Sequence, residues 1–204
     1  MTKPIRILLA GAWLAALCVS ADAQPAQTVR LRGTIDNVDG NALSLKRTDG
    51  AAIRLTLTND ASVIAVVKAS MGDIKENTFL GSAAMPQTDG TQKALEVHIF
   101  PEQMRGTGEG HRPYAAVPNS TMTNGTASGA TVSGVEGSTI MLKYKEGEKK
   151  IIVPPGTPIV RYEIGSRSDL KPGAHVTVLA ATKKPDGTFE ANRINVGREG
   201  VVPQ

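Results

Sequence analysis

The chain repeats itself, and the repeat limits what it can fold into. Gly33-Thr-Ile-Asp-Asn-Val-Asp-Gly-Asn-Ala-Leu-Ser-Leu-Lys46 lies over Ala130-Thr-Val-Ser-Gly-Val-Glu-Gly-Ser-Thr-Ile-Met-Leu-Lys143 at an offset of 97 residues. The offset is 96 where Ser70-Met-Gly-Asp-Ile-Lys75 meets Ser166-Arg-Ser-Asp-Leu-Lys171, and 97 again where Asp89-Gly90-Thr91 meets Asp186-Gly187-Thr188. A period this long is a duplicated module; solenoid repeats are far shorter.

Within each copy, short apolar-alternating runs are separated by turn residues. Leu43/Leu45, Ile53/Leu55/Leu57 and Leu95/Val97/Ile99 alternate with polar neighbours, which predicts strands wet on one face and hence a largely antiparallel sheet. Strands are expected at 29–38, 42–46, 52–58, 62–67, 79–85 and 93–100. Asp39-Gly40, Asp49-Gly50 and Asp89-Gly90 supply hairpin turns, answered in the second copy by Glu136-Gly137, Glu146-Gly147 and Asp186-Gly187. The pattern breaks at Ser70–Lys75 and Ser166–Gly173, where a serine followed three residues later by an aspartate caps one helical turn.

The expected architecture is all-β: two tandem small OB-like barrels at 29–100 and 129–197, joined by a long connecting loop at 101–128. A single barrel or sandwich of roughly eight to twelve strands is the alternative. The first 23 residues read as a cleaved signal peptide: Lys3 and Arg6, then the apolar run Ile7–Val19, then Ala21-Asp22-Ala23 before Gln24. Cys18 follows Leu17, where a lipid-attachment site wants a small residue. The expected location is periplasmic, with no transmembrane segment in the mature chain.

These motifs resemble exported bacterial proteins carrying a domain of unknown function with an OB-like barrel, present here in tandem. The resemblance rests on G-T-I-x-x-V-x-G-x-x-L-x-L-K from Gly33, S-x-x-D-[IL]-K from Ser70 and Ser166, the D-G-T hairpins, and A-L-E-V-H-I-F-P-E from Ala94. It implies a fold and brings no catalytic residue with it.

Composition narrows the function further. The sole cysteine lies in the leader, so the mature chain has no thiol for disulfides, iron–sulfur clusters or a Cys nucleophile. Three Phe, three Tyr and a net charge falling from +4 to +3 on removal of Lys3, Arg6 and Asp22 are a poor inventory for a single-strand nucleic-acid groove, so no nucleic-acid partner is expected. Gly106-Thr-Gly-Glu-Gly110 lacks the lysine of a phosphate loop, and no nucleophile elbow is present, so no enzyme activity is expected.

The unduplicated stretch His98–Ser128 is the most informative. His98, Glu102, Glu109 and His111 combine imidazole with carboxylate, a donor set that divalent transition metals accept, and Met104 or Met122 would suit cuprous copper. Their spacing matches no established ligand motif, and His98 is equally a solvated strand residue whose repeat counterpart is Asn195. Met104, Arg105, Arg112 and Tyr114 are candidate ligand or partner contacts. His175, opposite Phe79 in the repeat, reads as structural. The expected function is a non-catalytic binding or interaction protein of the cell envelope, without a cofactor and with an envelope protein or small ligand as partner. The alternative is a metal-binding or trafficking protein using the His98–His111 segment.

Overall fold

A computed structural model describes residues 28–133 and 137–204. The expected signal peptide lies outside the described residues. The fold is all-β, and none of its helices is long and apolar enough to cross a membrane. Twelve strands follow one another: β1 (Thr28–Asp39), β2 (Ala42–Arg47), β3 (Ala52–Lys68), β4 (Phe79–Pro86), β5 (Gln92–Ile99), β6 (Gly110–Pro113), β7 (Thr121–Ser133), β8 (Gly137–Tyr144), β9 (Gly147–Val153), β10 (Ile159–Ile164), β11 (His175–Lys183) and β12 (Phe189–Gly197). Single 3-10 turns occupy Met71–Asp73, Glu102–Met104 and Arg167–Asp169.

Strand pairing closes a five-stranded barrel from β1, β2, β3, β12 and β11. β1 pairs with β2 and β11, β2 with β3, and β12 with β11 and, in parallel, with β3. Closure removes the unpaired edges that a short open sheet would present to other chains. The remaining long strands form a second circuit, β4–β5–β9–β8–β7, whose last contact is the brief parallel pairing of Gln92 with Ile151 and Lys93 with Ile152. β10 lies between the circuits, antiparallel to β3 and parallel to β5.

These rings do not follow the expected boundaries 29–100 and 129–197. The first takes three strands from residues 28–68 and two from 175–197, while the second takes β4 and β5 from the first half and β7–β9 from the second. The two cores record the same exchange. One gathers Leu31, Ile35, Leu43, Leu45, Leu55 and Leu57 with Val176, Val178, Ile194 and Val196; the other gathers Leu80, Val97 and Ile99 with Ile140, Leu142 and Ile151. Burial of each such leucine or isoleucine stabilises the fold by about 1.5–3 kcal/mol, so each ring depends on side chains from both halves.

The expected connecting loop also differs. Residues 121–128 are the first half of β7, and β6 within the remaining stretch pairs with β7 at Gly110↔Asn124 through Pro113↔Thr121. The two strands expected at 52–58 and 62–67 are one, β3. Its first half alternates Leu55 and Leu57 with exposed residues, whereas Val63–Val66 are all buried, because there the strand is flanked by β12 and β10 and covered on both faces.

Local geometry matches between the halves at several points. The N–H of Ser70 donates to Asp73 Oδ2 and that of Ser166 to Asp169 Oδ2, each at 2.8 Å. Asp89 and Asp186 each accept from a threonine two residues on, N–H at 2.9 Å and Oγ1 at 2.7 Å. The pairing of β1 departs from the sequence alignment, however. Thr34 faces Lys46 and Thr126 faces Lys143, so Gly33-Thr34 corresponds to Gly125-Thr126 at an offset of 92, not to Ala130-Thr131 at 97. The β7–β8 hairpin is longer than the β1–β2 hairpin, and the similarity in sequence follows its tip. A Cβ on Gly33 would strike the carbonyl oxygen of Lys46, and one on Gly125 that of Lys143.

A polar cavity between the two circuits as candidate functional site

Alternation along three strands builds the site. On β5, Val97 and Ile99 enter one core, which turns Glu96 and His98 to the opposite face, yet these are 7% and 5% exposed because the other ring lies against them. On β12, Ile194 and Val196 enter the other core and Arg193 and Asn195 face away from it. On β1, Leu31 and Ile35 point inward and Arg30 and Arg32 outward, both half-buried. The outward faces of the two rings therefore meet in a polar layer that holds a partly open cavity of about 180 Å³.

Aromatic rings line its floor. Tyr162, on β10, stacks on the His98 imidazole at 5.4 Å and 20°, and Phe100 meets Tyr162 edge-on at 5.2 Å and 85°. Phe79 continues the cluster, 5.5 Å from Phe100. Burial, reinforced by the charge of Glu96, pushes the Tyr162 phenol well above its ordinary range, so it keeps its proton as a potential donor.

The charges are unbalanced. Glu96 is the acidic side chain whose charge reaches both Arg32 and Tyr162, and its Oε1 lies 3.2 Å from His98 Nε2. That contact is close but misaligned, leaving His98 Nε2 buried without a hydrogen bond. Arg30 donates from Nη1 to Tyr114 Oη at 3.3 Å and holds its guanidinium 5.9 Å from the Tyr114 ring centre, while its Nε and Nη2 have no partner. Arg32 Nε, Arg193 Nε and Asn195 Oδ1 are also buried without hydrogen bonds. Burial and then the adjacent Arg30 press the Arg32 guanidinium below its ordinary value. A guanidinium does not give up its proton at any ordinary pH; the direction marks chiefly its removal from water, with the repulsion of Arg30 second.

Thr107, Gly108, Arg112 and Tyr114 roof the cavity. Glu102 accepts from Arg105 Nε at 2.5 Å and Nη2 at 2.8 Å, and Arg105 Nη2 also donates to Asn77 O at 2.8 Å. The Arg105 guanidinium lies 5.8 Å from the Phe79 ring centre. Asn124 Nδ2 donates to Thr107 O at 2.9 Å and Arg112 Nη1 to Gly108 O at 2.6 Å. Gly106 and Gly108 have φ of +81° and +55°, values that let the segment turn back sharply. Met104 is buried, its sulfur 3.9 Å from Arg193 Nη2, which joins the roof to β12.

The four candidate metal ligands fall in three places, with only Glu109 and His111 side by side. His98 faces Glu96 in the interior, while Glu102 is held by Arg105. His111 Nδ1 bonds Thr123 Oγ1 at 2.8 Å with its ring 6.5 Å from that of Tyr144, and Glu109 lies beside it on the outer surface. Burial and the charge of Lys149 lower the His111 pKa. Among the described residues no three His, Cys, Asp or Glu side chains gather as a metal would require. Arg112 and Tyr114 do line the cavity with His98. Met104 and Arg105 instead secure its roof. His175 Nδ1 lies 3.0 Å from Thr34 Oγ1 across the β1–β11 pair.

Sequence reasoning missed Arg30, Arg32, Arg193, Asn195 and Tyr162. The signal for Asn195 was its correspondence to His98; the arginines occupy alternate positions that in an isolated sheet would face water. A wider groove of about 500 Å³ along Glu76, Glu109 and Tyr144 is lined by none of the buried unpartnered groups found among the described residues. Comparison with known proteins adds no assignment: no family model matches the chain, and no curated protein or solved structure matches it significantly.

Proposed function

We propose that this chain is a non-catalytic binding protein of the cell envelope, built from two OB-like five-stranded rings descended from one duplicated module. It holds a small ligand in the cavity between them. The strand order of the first ring, β1–β2–β3–β12–β11 with β3 and β12 parallel, supports the OB-like reading. The matching aspartate caps and D-G-T turns support the duplication. Export rests on the N-terminal pattern of charge, apolar run and small residues.

One observation carries the binding reading. A cavity at the junction of the two rings is walled by aromatic and apolar side chains, and several of the polar side chains that line it carry buried atoms without a hydrogen bond among the described residues. Natural interiors leave few buried polar groups unsatisfied, whereas a ligand site combines an apolar wall with a few polar groups awaiting their partner. A panel of small molecules of varied charge, tested by thermal shift on residues 24–204, checks the reading. At least one is expected to raise the unfolding midpoint saturably, with the effect lost when Leu179, at the cavity rim, is replaced by Trp. A panel without any saturable stabiliser contradicts it.

A further inference from the structure

We infer that the ligand is an organic carboxylate on a compact apolar or aromatic body, its carboxylate held by Arg30 and Arg193; this rests on the binding reading of the cavity. Arg30, Arg112 and Arg193 bring three permanent positive charges to the cavity wall, and no Asp or Glu is among the described residues that line it. Arg30 Nε and Nη2 and Arg193 Nε are buried and unpartnered, and both side chains line the cavity.

A buried donor left without an acceptor costs about 1–3 kcal/mol, and more when it is charged. Several in one place amount to a standing destabilisation that an anion entering the cavity relieves. The planar guanidinium fork, with two parallel N–H groups, matches a carboxylate.

The walls and the space define the rest of the ligand. Phe100, Tyr162, Met122 and Leu179 present carbon surface, so the body attached to the carboxylate is apolar. A dry protein cavity of roughly 150 Å³ holds benzene. A space of about 180 Å³ therefore suits a single ring or a branched chain bearing one carboxylate. The protonated Tyr162 phenol can donate to such a carboxylate but not to a cation.

Isothermal titration of residues 24–204 with benzoate, phenylacetate and 4-methylpentanoate, with benzamide and phenylacetamide as neutral counterparts and with inorganic phosphate, tests the inference. At least one carboxylate should bind saturably, and its amide at least tenfold more weakly. Arg30→Gln or Arg193→Gln should weaken the carboxylate at least tenfold, while Arg54→Gln on the exposed face of β3 leaves it unchanged. Amides binding as well as acids, or inorganic phosphate binding as well as the best carboxylate, overturns the inference and leaves the binding cavity standing. If none of these compounds binds, the inference falls; if the wider panel also yields no stabiliser, the binding reading falls with it. Ligand-free Arg32→Met provides a readout independent of probe choice. Relief of the crowded positive charge should raise its unfolding midpoint by a few degrees, and a lowered midpoint contradicts the proposed imbalance.

Discussion

His98 on β5 and Asn195 on β12, 97 residues apart in the sequence, line one cavity from different rings. Each is nearly fully buried and each carries a side-chain polar atom without a partner. Asn195→Asp would place a carboxylate among Arg30, Arg193 and Tyr162. The ligand-free variant is expected to be more stable at neutral pH, as the carboxylate offsets the positive charge of the arginines at the same wall. Denaturant midpoints measure this, and destabilisation would show that the arginines have no unmet need for an anion.

Arg198 donates from Nε to Asp169 Oδ1 at 2.8 Å and from Nη2 to Oδ2 at 3.0 Å, and from Nη1 to Glu163 at 2.7 Å. The hydrogen bonds from Arg198, with the Ser166 N–H, hold the Asp169 carboxyl below the usual range. A depressed folded-state pKa stabilises the protein above the unfolded value, near 4, and that contribution is lost as pH falls through the folded value. Asp169→Asn should cost about 1–3 kcal/mol at pH 7 and flatten the stability profile below about pH 4. Urea denaturation at several pH values checks both. Asp73, its exposed counterpart, should matter less.

Gly33→Ala and Gly125→Ala should each destabilise by about 1–3 kcal/mol, since the new methyl meets a backbone oxygen that can yield only by moving a strand. Gly129→Ala, where a Cβ meets nothing within 4 Å, is the control. Equal effects at 33, 125 and 129 would argue against the shared register of β1 and β7.

Leu55→Ala in the first core and Ile140→Ala in the second should each cost about 2–5 kcal/mol. Both ring closures use strands from both halves, so each substitution should lower a single cooperative transition. Two resolved transitions, one per half of the chain, would contradict the exchanged arrangement.

Most strands were legible because Leu43/Leu45 and Leu55/Leu57 alternate over a surface wet on one side. Asn59–Ala61 fell between two expected strands, yet one strand continues through them, with a register shift against β12 between Ala191 and Arg193. The exchange of β4–β5 with β11–β12 was not legible. The Ser70–Asp73 and Ser166–Asp169 turns fix local geometry but not which ring the next strand joins, and halves similar in sequence offer either ring similar partners. His98, Arg112 and Tyr114 stood out as chemistry in an unduplicated segment. Arg30 and Arg193 did not, because a polar residue alternating with core residues reads the same whether it faces water or another ring.

The exchange itself is tested most directly by a disulfide between Thr34→Cys and His175→Cys in residues 24–204, which contain no other cysteine. These residues face each other on β1 and β11, and antiparallel partners lie about 4.5–5.5 Å apart at Cα, within disulfide range. Mass spectrometry after mild oxidation should find the linked peptide in the monomer, and Thr34→Cys with Phe79→Cys, the partner a self-closed first half would supply, should remain unlinked. Linkage of 34 to 79 and not to 175 would contradict the exchanged rings and the cavity between them.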